Sequence, residues 1–144
     1  MAPHLIHYNT LDEYRTHFIR VYCASGINTF DNIQVSFRHS DFEHAFFESA
    51  NRYARDKSVF SWKRAQRIDW ISNALSDIAA ELYIGWDRDK KQNAPTRRVA
   101  VVCGDYVVII SIFIRNGTRN GRFITAYVAD VPTITKIRNQ PRWK

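Results

Sequence analysis

The chain has only two cysteines, Cys23 and Cys103, far apart and in no CxxC pair. Zinc-ribbon and thioredoxin-like readings therefore fail, and the two side chains read as reduced structural thiols. No apolar run approaches the roughly 20 residues that a helix needs to cross a bilayer; the longest, Tyr106 to Ile114, is interrupted by Ser111. No membrane span is expected. The amino terminus, Met-Ala-Pro-His-Leu-Ile-His, lacks the basic flank, apolar stretch and cleavage site of a secretory signal, so a cytoplasmic location, in the producing or a target cell, is the expectation. There is no GxxxxGK[ST] loop, GxGxxG fingerprint, GxSxG elbow, HExxH pair or EF-hand loop. NTP hydrolysis, dinucleotide redox and metalloprotease chemistry lose their usual support, and neither metal nor cofactor is expected. Repeats, low-complexity tracts and Pro/Gly-rich linkers are also missing, which leaves a single domain over residues 1–144.

What is present suits such a domain. A chain of 144 residues can bury one sizeable core, and 45% hydrophobic with 24% charged residues is ordinary globular composition. Lys and Arg number 21 against 14 Asp and Glu, a net charge of +7. That excess favours a polyanionic partner: nucleic acid, acidic lipid or an acidic protein.

Patterning changes from helical to strand-like near residue 80. Thr10 followed by Glu13 is a capping box that opens a helix from Leu11 to about Tyr22. Ile33 to Phe37 alternates as a half-buried strand does. A second capping box, Ser40 with Glu43, predicts a helix through about Arg55 with Phe42, Phe46, Ala50 and Tyr53 on its core face. Ser61 caps a third, to about Asp77, whose apolar stripe runs through Ile68, Ile71, Ala74, Leu75 and Ile78. Leu82–Trp86, Arg98–Cys103, Tyr106–Arg115 and Arg122–Ala129 read as strands, joined by Gly104-Asp105 and by the Asn-Gly pairs at 116–117 and 120–121. The expected architecture is α+β: amino-terminal helices on a curved, mainly antiparallel sheet of four to five strands.

Three constellations carry potential chemistry. Arg64 lies in line with Ile68, Ile71 and Leu75, and Arg67 with Ile71, Ala74 and Ile78. Two guanidinium groups beside an apolar stripe either snorkel to water or emerge into a cleft that takes a phosphate or carboxylate. In the last long strand, alternation puts Phe123, Thr125 and Tyr127 on one face and Ile124, Ala126 and Val128 on the core face. The first set supplies a hydroxyl, a phenol and a ring for a phosphate and a base, although Thr and Tyr are also plain strand formers. His39 and His44 flank the second helix at a spacing unsuited to zinc; His44, on its polar side, is a candidate acid or base or an ordinary surface residue.

The stretch Phe60-Ser61-Trp62-Lys63-Arg64-Ala65-Gln66-Arg67-Ile68-Asp69-Trp70-Ile71, with Leu75, resembles the F-x-x-x-R-A-x-R-[IL]-x-W-I-x-x-x-L signature of phage-associated nuclease domains. These belong to the barnase/EndoU/colicin/RelE-like superfamily of small ribonucleases. Val35-Ser36-Phe37 with Phe42-Glu43-His44-Ala45-Phe46, and Phe123-Ile124-Thr125-Ala126-Tyr127, are similar to the family's V-x-F…F-x-H-A-F and V-x-T-A-Y segments. The matches run in the family's order over about residues 33–130, leaving residues 1–30 as a helical extension and 131–144 as a basic tail. The resemblance implies helices on an antiparallel sheet and metal-independent RNA cleavage, in which a ribose 2′-hydroxyl attacks the adjacent phosphate and leaves a 2′,3′-cyclic phosphate. It makes His44 the base or acid, Arg64 and Arg67 the phosphate holders, and Thr125 and Tyr127 the residues that complete the site. Arg88, Lys90, Arg98 and Phe123 are candidate substrate contacts. RNA, with tRNA among the options, is the implied substrate, and a toxin of this kind implies an acidic antitoxin or immunity protein. The alternatives are a non-catalytic nucleic-acid-binding module, and an interaction protein of a mobile element in which Trp62 and Trp143 form an interface.

Overall fold

Thr10 opens the first helix as its sequence predicts. Its hydroxyl accepts the Glu13 amide at 3.2 Å and the Glu13 carboxylate accepts the Thr10 amide at 3.1 Å. The computed structural model describes residues 4–48, 59–84, 86–87, 92–93 and 98–143. Helix α1 (Leu11–Phe18) runs into a π-helical turn, Ile19–Cys23. Tyr14, Phe18 and Tyr22 are wholly buried. A spacing of four drifts by about 40° per step on a 3.6-residue helix, and the wider π-turn offsets that drift, keeping Tyr22 beneath Phe18. These residues belong to the same core as the sheet, so the described part of the expected helical extension packs against it.

Strands β1 (Ile27–Asn28) and β2 (Gln34–Ser36) form an antiparallel pair. Helix α2 (Asp41–Phe46) starts without the expected capping box: Ser40 is itself helical and makes no side-chain cap, while the Asp41 carboxylate accepts the Arg38 amide at 2.8 Å. Nor does it run to Arg55. At Phe47 the backbone becomes extended, and β3 (Phe47–Glu48) pairs with β4 (Val59–Phe60). The Phe46 carbonyl takes the Ser61 amide at 2.7 Å, and Phe60 packs on both Phe42 and Phe47, so long-range pairing of aromatics overrides the local helical pattern. The rest of that expected helix, with Ala50, Tyr53 and Arg55, lies outside the described residues.

The third expected helix is two. Ser61 does cap α3 (Trp62–Ala65), accepting the Arg64 amide at 3.3 Å, but α4 (Trp70–Ser76) is separate. The Gln66 carbonyl is taken by the Ile6 amide at 2.8 Å, and the Tyr22 hydroxyl stands between the Ile68 carbonyl and the Ser72 amide. Both partners come from the amino-terminal segment and occupy groups that a continuous helix would pair with itself. Ile78, expected on the apolar stripe, is 83% exposed because the helix has already ended.

The remaining strands are β5 (Glu81–Ile84), β6 (Trp86–Asp87), β7 (Gln92–Asn93), β8 (Arg98–Cys103), β9 (Tyr106–Arg115) and β10 (Thr118–Val128). The main sheet has six strands, ordered β1-β2-β10-β9-β8-β5, rather than four to five. Its β5-β8-β9-β10 part is the expected antiparallel meander, and Asn116 and Gly117, both at positive φ, turn β9 into β10. β2 joins β10 in parallel, an approach that Gly121 permits: a Cβ there would lie 3.0 Å from Val35 Cγ2.

A bulge in β10 changes which residues share a face. Phe123 pairs with Ile110 but Thr125 pairs with Ile109, so Ile124 is an extra residue. Phe123 therefore points into the core with Ala126 instead of outward with Thr125 and Tyr127. It is 1% exposed and stacked on Phe37 at 4.8 Å, so it has no surface to offer a base.

The helices before β5 cover one face of the sheet. The other carries a smaller cluster of Tyr83, Ala100, Val102, Val107 and Ala129 beneath Ile134 of α5 (Val131–Arg138). The first part of the expected basic tail is thus a helix, capped by Asp130, whose carboxylate accepts the Thr133 amide at 2.9 Å, and begun with Pro132 in its first turn. Beyond it the chain returns to the free edge of β5, where the Ile84 amide donates to Pro141 and the Trp143 amide to Leu82, each at 2.8 Å. Among the described residues, no helix is long and apolar enough to cross a membrane.

Candidate active site

The break between α3 and α4 decides where the two arginines point. Arg67 lies in the turn, and its Nη1 donates to the Lys63 carbonyl at 2.7 Å while the guanidinium lies 5.1 Å from the Trp70 ring centre. Its Nε is buried and has no hydrogen-bond partner among the described residues. Two residues on, Asp69 is held at 2.8 Å by His17, whose other ring nitrogen lies 2.8 Å from the Tyr8 hydroxyl. The turn is therefore anchored to α1 and to the segment before it.

Arg64, on α3, places its Nε 3.4 Å from the Glu48 carboxylate, brought there by β3. Lys63, Arg64, Arg67 and Glu48 line one wall of a cleft of about 290 Å³ whose other wall is Tyr106, Ala126, Tyr127 and Val128. Three cations and one carboxylate make it electropositive. Burial pushes the Tyr106 phenol far above its ordinary range, against the pull of the Arg67 and Arg64 charges, so it keeps its proton and serves only as a neutral donor or acceptor.

Of the residues singled out from the sequence, Arg64, Arg67 and Tyr127 meet in this cleft. Thr125 stands beside it: its hydroxyl donates to the His44 carbonyl at 3.4 Å, and its side chain borders a second hollow on the outer face of the sheet with Tyr127 and Arg98. His44 is exposed on α2 and is not among the residues lining the cleft. Arg98 starts β8 and belongs to the outer face. Phe123 is removed from the set by its burial. Arg88 and Lys90 lie outside the described residues.

Sequence reasoning missed Glu48, Lys63 and Tyr106. Lys63 was within reach, since it adjoins Arg64 and is four residues from Arg67. Glu48 carries no local signal, because its position depends on the β3–β4 pairing. Tyr106 reads as an interior strand residue, and only its place at the start of β9 puts it at the cleft.

The two thiols stay apart and unpaired. Burial, with a hydrogen bond to Asp77, pushes Cys103 up to about 11, and burial also raises Cys23. Among the described residues no three His, Cys, Asp or Glu side chains are grouped to hold a metal ion. Searches of protein-family models, curated proteins and solved structures found no match to this chain.

Proposed function

We propose that the chain is a metal-independent endoribonuclease that cleaves RNA by attack of a ribose 2′-hydroxyl on the adjacent phosphate. The observation that carries this reading is the cleft in which Lys63, Arg64 and Arg67 surround a space shared with Glu48 and Tyr127. A phosphodiester entering it meets the positive charges of Arg67, Arg64 and Lys63. These groups stabilise the extra negative charge of the pentacoordinate phosphorane. Glu48, paired with Arg64, takes the 2′-hydroxyl proton; the phosphorus–5′-oxygen bond breaks and Tyr127 protonates the departing oxygen. The products are a 2′,3′-cyclic phosphate and a 5′-hydroxyl. His44, near the rim through Thr125, is the other candidate for acid or base. The resemblance of Phe60–Ile71 to the nuclease signature and the net charge of +7 support the same reading.

A second reading, a nucleic-acid-binding module without catalysis, draws on the absence of His44 from the cleft lining. Incubation of purified protein with total RNA and with single-stranded DNA in excess EDTA separates the two. EDTA-resistant cleavage of RNA alone, with cyclic-phosphate ends and loss in Arg67→Ala and Glu48→Gln, is the expected result. Salt-sensitive binding without cleavage would replace the enzyme with the binding module. As a toxin, such an enzyme calls for an acidic antitoxin or immunity protein over the cleft; normal growth of a host expressing the chain alone would argue against that role.

A further inference from the structure

On the outer face of the sheet, α5 does not cover all of the strands it crosses. Between the helix and β8, β9 and β10 lies a groove of about 740 Å³, within the range of ordinary ligand sites (about 300–1,000 Å³). Its apolar lining comes from Ile109 on β9, Ile124 at the bulge and Ile137 on α5; Arg98 and Lys136 supply its charge, and among the described residues no Asp or Glu lines it. The bulge adds Ile124 to this surface, beside Thr125 and Tyr127, which strand alternation already turns outward. Tyr127 borders both this groove and the arginine cleft, so the two sites meet across a single side chain.

We infer that this groove binds the stretch of single-stranded RNA that continues from the bond held in the cleft. The lining matches that ligand: apolar side chains suit base faces, and two cations without a carboxylate suit phosphates. A neutral peptide would leave the charges of Arg98 and Lys136 without a counterpart, and an acidic peptide would offer the apolar lining no base faces. The inference rests on the reading of the cleft as an RNA site.

The test uses an RNA of twelve nucleotides with every 2′-hydroxyl methylated, which binds but is not cleaved, beside a trinucleotide of the same chemistry. Fluorescence anisotropy across a salt series gives the affinity of each for wild type and Lys136→Gln. Lys136 is exposed, so the variant keeps the fold, which far-UV circular dichroism checks. Wild type binds the longer RNA more tightly than the trinucleotide, and in Lys136→Gln that length advantage falls several-fold. Its slope of log affinity against log salt also drops by about 0.7, the share of one phosphate contact on a single strand. An unchanged length advantage overturns the inference, as does tighter binding of a polyglutamate peptide than of the RNA at this groove. If the fully ribose RNA is never cleaved yet its binding depends on Lys136, the groove stands and the enzyme reading falls; cleavage with no Lys136 dependence of binding has the opposite meaning.

Discussion

The Tyr22 hydroxyl donates to the Ile68 carbonyl at 2.5 Å, and accepts the Ser72 amide at 3.1 Å. One side chain from the π-helical turn thereby fills the place of a helical hydrogen bond. It keeps α3 and α4 apart, and the turn so created carries Arg67 into the cleft.

Tyr22→Phe removes that bridge and leaves a buried carbonyl and amide without it. The expected cost is about 1–3 kcal/mol of stability, read as a lower urea midpoint at unchanged m-value. Because Arg67 rides on the turn, RNA cleavage under conditions where the variant is fully folded falls as well. Wild-type stability in this variant would show that the hydroxyl is not what separates the helices.

Arg67→Ala is expected to slow RNA cleavage by about 10²–10³-fold, the usual loss for one preorganised donor to a charged transition state. Arg67→Lys does not restore it, since a compact ammonium lacks the planar fork that donates to the Lys63 carbonyl beside Trp70 while another edge is left for the phosphate. Single-turnover rates on one labelled RNA decide the matter, and a lysine variant near wild-type rate would contradict the role given to the guanidinium.

Asp41 is buried, and burial raises its carboxyl above the usual range despite the Arg38 amide and the nearby Arg122, His44 and Arg38 charges. The folded state thus holds the proton more tightly than the unfolded state. This contribution favours folding at low pH and is lost as pH rises from the unfolded value through the raised one. Asp41→Asn should accordingly raise the melting temperature at pH 7 and give little advantage near pH 3. An advantage that is the same at both pH values would refute the desolvation argument.

Gly26 has φ +68°, and a Cβ there would stand 2.4 Å from the Val35 carbonyl oxygen. Gly26→Ala is expected to cost about 2–3 kcal/mol, combining left-handed strain with displacement of β2. Gly104, at φ +62° with nothing within 4 Å of a Cβ, is the control: Gly104→Ala loses only about 1 kcal/mol. Equal losses in chemical denaturation would mean that the contact with Val35 does not matter.

Where neighbouring residues settled the outcome, the sequence was readable. The Thr10–Glu13 box, the Ser61 cap, the Asn116-Gly117 turn and the almost wholly apolar character of β9 depend on groups a few residues apart, so α1, the start of α3 and the meander follow from local chemistry. The three-residue spacing of Arg64 and Arg67 is equally local, but the break that turns Arg67 into the cleft is not. Tertiary structure decided what depends on distant partners. Phe60 and Ser61 ended α2, and Tyr22 and Ile6 divided the third helix. One extra residue, Ile124, moved Phe123 into the core, and β3 delivered Glu48 to Arg64. The periodicity of a segment states which face is apolar; which backbone groups are taken by another part of the chain, and where a strand gains a residue, are settled only when the core closes.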